Sequence, residues 1–255
     1  MSSVPRFLIP EWPAPPRVRA AFTLREGGVS RPPFDTLNVG GAQTGDDPQA
    51  VRENRARVGA ALGLRAGPAW LTQVHGAGVV CLDGEVGAPR SEPPRADAVV
   101  TRDPGRVCAI QVADCLPVLL ASRDGSVVGA AHGGWRGLAA GVLRVTVEAL
   151  AADPASLIAW LGPAIGPGHF EVGDEVRAAL EGGGAALGAA FVRNERGRWQ
   201  CDLPAVARRQ LGALGVGEVY GGRWCTYADA ARFFSYRRDG RCGRMAALVW
   251  IAPEG

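Results

Sequence analysis

Short, almost wholly apolar runs punctuate this chain and confine it to a layered fold of strands with helices laid against them. AVVTR (98–102), VCAIQVADCLPVLLA (107–121), SVVGAAH (126–132), LIAWLGPAIG (157–166) and MAALVWI (245–251) are strand-length and bounded by Gly, Pro or Asp. RVRAAFTLREGGVS (17–30) reads as a strand followed by a Gly-rich turn, and AWLTQV (69–74) as a strand leading into His75. Helical spacing is predicted over 50–64, after an N-cap at Asp46 or Asp47 and Pro48 at the first helical position, with Asn54 and Arg55 at the helix edge. Further helices are predicted as one long amphipathic element after His132, over 170–182, and over 201–216 with Asp202 as cap. EVGAPRSEPPRADA (85–98) reads as a proline-rich loop, and Pro117 argues for a bend or a sheet edge. With no Ser/Gly linker, 255 residues make one α/β or α+β domain spanning 1–255.

All 28 basic residues are arginine. Without lysine there is neither a Schiff-base enzyme nor a P-loop lysine, so an anion must be held by Arg, backbone N–H groups or metal. A net charge of +3 with dispersed arginines argues against a nucleic-acid-binding surface. No apolar run reaches the ~18 residues of a membrane span, and the N-terminus lacks the pattern of a signal peptide. The chain is therefore expected to be cytoplasmic, with its six cysteines reduced and no obligate protein partner.

Three residues stand out. His75, Cys115 and His132 each sit where an apolar run meets Gly or Asp, and two of them are among only three histidines. Two imidazoles and one thiolate suit zinc, and three protein ligands leave a position open for water or substrate, as in catalytic sites. Spacings of 40 and then 17 positions are no local finger, so the fold must bring the ligands together. His132 lies beside a predicted helix N-terminus at Gly133 and Gly134, where Arg136 would add donors. Asp114 is a candidate proton shuttle, partner to a ligand histidine, or ordinary strand-end carboxylate, and alternation points it away from Cys115. His169 reads as a turn residue. Cys81, Cys108, Cys201 and Cys242 read as core or incidental thiols, with Cys225 the one most placed to approach the site.

The motifs TLREGGVS, FDTLNVG, GDDPQAVRENR, LTQVHG, ADCLPVLL, AAHGGWRG, LGPAIGPGHFEVG and CTYADAARFFSYRRDGRCGRMAALVW, in this order, resemble the YfiH (laccase-domain) family over most of the chain. The resemblance implies a mixed α/β sandwich related to a Cys-His deamidase toxin, and zinc on His75, Cys115 and His132, which would also be the catalytic residues. It implies purine nucleoside phosphorylase activity on purine nucleosides and phosphate, with adenosine deaminase activity. Arg25, Asn38, Arg55, Arg136 and Arg237 are the candidate contacts for phosphate, ribose or base, and Asp114 and Glu171 the carboxylates that could move a proton. Two alternatives accompany it. A Cys115–His132 pair without metal would suit a cysteine hydrolase or amidase acting on peptidoglycan precursors. Copper in the same three-ligand site would give at most a single-copper polyphenol oxidase, because three histidines cannot furnish a multicopper centre.

Overall fold

Strand alternation sorts the apolar side chains of this chain between three separate cores, and that sorting defines its layers. The computed structural model describes residues 4–84, 92–182 and 186–253. In chain order the strands are β1 (Phe7–Leu8), β2 (Val18–Thr23), β3 (Val79–Cys81), β4 (Ala98–Thr101), β5 (Val107–Val112), β6 (Leu116–Ser122), β7 (Val128–Gly133), β8 (Leu157–Leu161), β9 (Glu171–Val172), β10 (Phe191–Arg193), β11 (Trp199–Cys201), β12 (Glu218–Gly221) and β13 (Met245–Ile251). The helices are α1 (Pro48–Ala61), α2 (Trp135–Ala139), α3 (Val142–Leu150), α4 (Asp174–Glu181), α5 (Leu203–Ala213) and α6 (Tyr236–Asp239).

One sheet has the order β1-β2-β13-β5, the larger one β12-β8-β6-β7-β4-β3, and a small one β10-β11-β9. The larger sheet is mixed: β12 runs parallel to β8 and β3 to β4, while β6, β7, β8 and β4 pair antiparallel. Along β6, Val118 and Leu120 join the core beneath α3 and α5, whereas Leu119 and Ala121 join Ile110, Trp160 and Met245 between the two large sheets. Along β5, Val107 and Ala109 turn to a third core with Val58 of α1. The result is a mixed α/β sandwich with helices outside both sheets. Strands covered on both faces bury few polar side chains, which is why β4 to β8 read as mostly apolar runs.

Five local expectations change. The helix expected over 170–182 begins only at Asp174, after the short strand β9. The stretch over 69–74 forms only isolated bridges, at Ala69 and Thr72. There the side chain of Gln73 replaces a strand neighbour, donating to the Gln111 carbonyl (2.8 Å) and accepting from the Gln111 N–H (2.7 Å). The single long helix after His132 is two, α2 and α3, because Gly141 between them adopts a left-handed φ of 83°. Pro117 lies in the central strand β6, not at an edge: its carbonyl accepts from Gly162 just past the point where pairing with β8 ends, so its missing N–H falls outside the ladder. Asn54 is wholly buried instead of lying at the edge of α1. Its amide accepts from Val29 N–H (2.8 Å) and donates to Ser30 Oγ (2.8 Å) and the Asn38 carbonyl (2.8 Å), tying the 28–38 loop to the helix. Part of the 85–98 loop falls outside the described residues. The two Asp-capped helices stand as read: Asp47 caps α1 and Asp202 caps α5, each with Pro in the first turn. Among the described residues no helix is long and apolar enough to cross a membrane.

Candidate metal centre

Sheet register brings the cluster together. Pairing of Leu116 with Gly133 and of Pro117 with His132 sets Cys115, one residue before β6, beside the end of β7. On the other side of β7, Ala98 pairs with Ala131, which sets Asp97 beside His132, and the His132 N–H donates to the Asp97 carbonyl (2.7 Å). His75 arrives on the turn before β3 with a left-handed φ of 60°. That conformation is uncommon for a residue with a Cβ and needs surrounding structure to hold it. The support is the fully buried Asp97 carboxylate, which accepts from the N–H groups of Val74 (3.1 Å), His75 (2.9 Å) and Gly76 (2.7 Å).

The ligand-type atoms of His75, Cys115 and His132 all lie within 4.8 Å of one another. Cys115 Sγ is 3.9 Å from His75 Nε2, and the two imidazole rings meet edge to face with centroids 4.8 Å apart. A tetrahedral zinc ion requires about 3.6 Å between a nitrogen and a sulfur ligand, from bond lengths of about 2.1 and 2.3 Å. The donor set and its spacing therefore fit such an ion with a small inward adjustment. His132 Nδ1 faces Asp97 Oδ1 at 2.9 Å, which leaves Nε2 for the cluster. Gly134 forms the wall: a Cβ there would lie 3.1 Å from Cys115 Sγ and 3.2 Å from His75 Cδ2.

Burial opposes ionisation of Cys115, but attraction to the His132 imidazolium and hydrogen bonds from both histidines outweigh it and hold the thiol below its ordinary range. Burial likewise opposes charge on His132, while the Cys115 thiolate and Asp97 raise it. The buried Asp97 carboxyl is kept low by His132 and the backbone donors. In metal-free protein the surroundings thus favour a thiolate–imidazolium pair. Its iodoacetamide reaction rate should rise with pH and level off well below the pH expected of an ordinary thiol, whereas the buried Cys108, pushed up by desolvation, stays inert. Mass-spectrometric site mapping across a pH series checks this; a Cys115 rate still climbing like that of a free thiol would contradict it.

The other candidate residues divide sharply. Arg136, exposed on α2 beside Gly134, stacks over Trp135 at 4.2 Å. Exposed Arg237 lines a cleft of about 300 Å³ with Trp135, Phe170 and Glu171, and its guanidinium sits over the Phe170 ring at 5.3 Å. By contrast, Arg25 binds the carbonyls of Ala230 (2.8 Å) and Asp35 and stacks on Phe234. Asn38 is fully buried, donating to Asp46 and Thr44 and accepting from the N–H groups of Gly40 and Arg244. Arg55 donates to the Val39 carbonyl and lies over Trp70 at 4.2 Å, and burial lowers its pKa to about 10. These three are engaged in holding the 25–46 segment.

Asp114, also left-handed (φ 88°), accepts from Thr226 Oγ1 (2.6 Å) and the Arg237 N–H (2.7 Å), so both oxygens are occupied and neither faces a ligand histidine. Glu171 is held by Asn194 and Arg196. His169 stacks on Tyr227 away from the cluster's hydrogen bonds. All six cysteines are free, and Cys225 accepts from Gly166 N–H (3.2 Å). Asp97 escaped the sequence reading because it sits in a segment dominated by proline. The signal that could have found it is an acid placed immediately before a wholly apolar strand.

A family model described as multi-copper polyphenol oxidoreductase laccase matches residues 19–252. A Pseudomonas aeruginosa protein named as a purine nucleoside phosphorylase is 52% identical over 246 residues, covering 96% of this chain and 98% of that protein. The Escherichia coli purine nucleoside phosphorylase YfiH is 49% identical over 246 residues, covering 96% and 99%. The crystal structure of a Neisseria meningitidis protein shares the fold with a TM-score of 0.90 at 44% identity, covering 97% of this chain and 99% of that one. The Bacillus licheniformis protein YfiH does so with a TM-score of 0.84 at 31% identity, covering 92% and 93%. Sequence and fold agree that the chain belongs to the YfiH, or laccase-domain, family.

Proposed function

We propose that this chain, acting over its whole length as one catalytic domain, is a zinc-dependent purine nucleoside phosphorylase with inosine and adenosine as substrates and adenosine deamination as a second activity. The observation that carries the reading is the convergence of His75, Cys115 and His132, with ligand-type atoms within 4.8 Å of one another; Trp135, the residue after the Gly134 wall, lines a cleft together with Phe170 and Arg237. The names of its relatives supply the reaction. In phosphorolysis a phosphate oxygen bonds to the anomeric carbon as the glycosidic bond to the purine breaks; the purine takes up a proton, and ribose 1-phosphate forms. Bound zinc would supply a Lewis acid beside the reacting centre. Arg136 and Arg237 hold the phosphate: both are exposed, Arg136 two residues from Gly134 and Arg237 lining the cleft with only long contacts to the Glu171 (3.4 Å) and His169 (3.5 Å) carbonyls, while Arg25, Asn38 and Arg55 are engaged elsewhere. Trp135, half-buried at the cleft, offers an apolar surface to the base.

The test follows inosine and adenosine with metal-analysed protein, with and without phosphate. The expected result is phosphate-dependent release of free base with ribose 1-phosphate, lost on stripping the metal and restored by zinc. A base release independent of both phosphate and metal would overturn the reading. The thiolate–imidazolium pair of metal-free protein favours one second reading, a cysteine hydrolase or amidase with Cys115 as nucleophile. Its signature is activity that survives chelation and disappears on alkylation.

A further inference from the structure

We propose that Asp97 is the positioning residue of the metal centre, a single carboxylate that selects the ligating tautomer of His132 and folds the turn that presents His75. The inference rests on the metal-centre reading above. A carboxylate only accepts, so the contact between Asp97 Oδ1 and His132 Nδ1 at 2.9 Å places the proton of a neutral imidazole on Nδ1 and leaves the Nε2 lone pair for a metal. The same Oδ1 accepts from His75 N–H, and Oδ2 accepts from Val74 and Gly76 N–H, which closes the left-handed turn at His75. Asp97 is itself immobile: its N–H donates to the Gly78 carbonyl, its carbonyl accepts from His132 N–H, and no part of it reaches solvent. Two of the three ligands therefore take their geometry from one buried side chain.

The rival account is that Asp97 is merely a turn acceptor, and Asp97→Asn separates the two. Asparagine has one acceptor oxygen. Placed at the Oδ2 position, that oxygen keeps the bonds from Val74 and Gly76, but the amide NH₂ then occupies the Oδ1 position and faces His132 Nδ1. A donor there requires His132 to present its lone pair on Nδ1 and carry its proton on Nε2, pointing at the metal position. The opposite amide orientation sets NH₂ against two backbone N–H donors. D97N thus keeps most of the turn and spoils the ligand, whereas D97A loses every acceptor.

The experiment strips wild-type, D97N and D97A protein of metal, titrates each with zinc against a chromophoric chelator, and records the melting temperature of each metal-free form. Nitrogen-15 spectra of zinc-loaded wild type report the His132 proton. The expected results are a proton on Nδ1 in wild type, and a zinc affinity that falls by about 10–100-fold in D97N, at least as far as in D97A although D97A loses more melting temperature. A D97N affinity equal to that of wild type, or affinity losses that simply track melting temperature across the two variants, would overturn the inference and leave the metal-centre reading intact. Wild-type protein that binds no zinc would remove that reading and the inference with it.

Discussion

Replacing Cys115 by alanine should abolish nucleoside turnover and weaken zinc binding by about 10²-fold while leaving the fold in place. The estimate comes from sharing the ~10–16 kcal/mol of a four-ligand structural zinc site evenly, which gives about 3 kcal/mol per ligand. Cys115 is partly exposed on the turn before β6, and the apolar residues that follow it, Leu116 and Val118 to Leu120, carry the packing. A C115A protein should therefore show a near-native metal-free melting temperature together with lost activity. Unchanged turnover would remove the cluster from the chemistry altogether. Serine at 115 should rescue little, because a hydroxyl is a poor ligand for zinc at neutral pH where a thiolate is a good one.

Gly134→Val should be nearly as damaging, through space instead of chemistry. Gly134 has φ −65° and ψ 153°, which any residue adopts, so its backbone does not require glycine. What requires it is the cluster: a Cβ would stand 3.1 Å from Cys115 Sγ, 3.2 Å from His75 Cδ2 and 3.7 Å from His132 Cε1. Neither ring can recede, since His132 is pinned by Asp97 and His75 by its turn. The ligands must separate, and a misplacement of ~1 Å at a reacting centre costs about 10²-fold in rate. Alanine should show the smaller loss and valine the larger, read as zinc stoichiometry and as kcat on inosine. Equal activity in all three proteins would mean that the wall at Gly134 is looser than the distances indicate.

Much of the layered architecture was legible because burial on both faces writes itself into a sequence as a nearly continuous apolar run, as in 107–110 and 116–121. The helix caps at Asp47 and Asp202 were legible because capping chemistry is local. What resisted was long-range. Nothing near residue 73 announces that Gln73 will pair through its side chain with Gln111, 38 positions away, in place of a strand ladder. Asn54 reads as a surface amide until the loop that wraps it is in view. For the site, residue type and setting picked out His75, Cys115 and His132, whereas Asp97, which touches two of them, shows its role only through the register between β4 and β7. The arginines were least legible, because a guanidinium free for a ligand and one stacked over Trp70 look the same in a sequence.

The ligands come from three separate connections, the turn before β3, the entry to β6 and the exit of β7, and each is aligned by pairing within the six-stranded sheet. A metal cannot nucleate such a structure, because until that sheet has assembled there are only single, weak donors scattered along the chain. On the proposed reading, loading would thus be an event in the life of the finished protein. An ion would be taken up, lost or exchanged without a folding cycle, and it would raise the melting temperature only by mass action, with the logarithm of the ratio of its free concentration to its dissociation constant. A small zinc finger collapses under a chelator; this chain should merely fall silent, and wake again when metal returns.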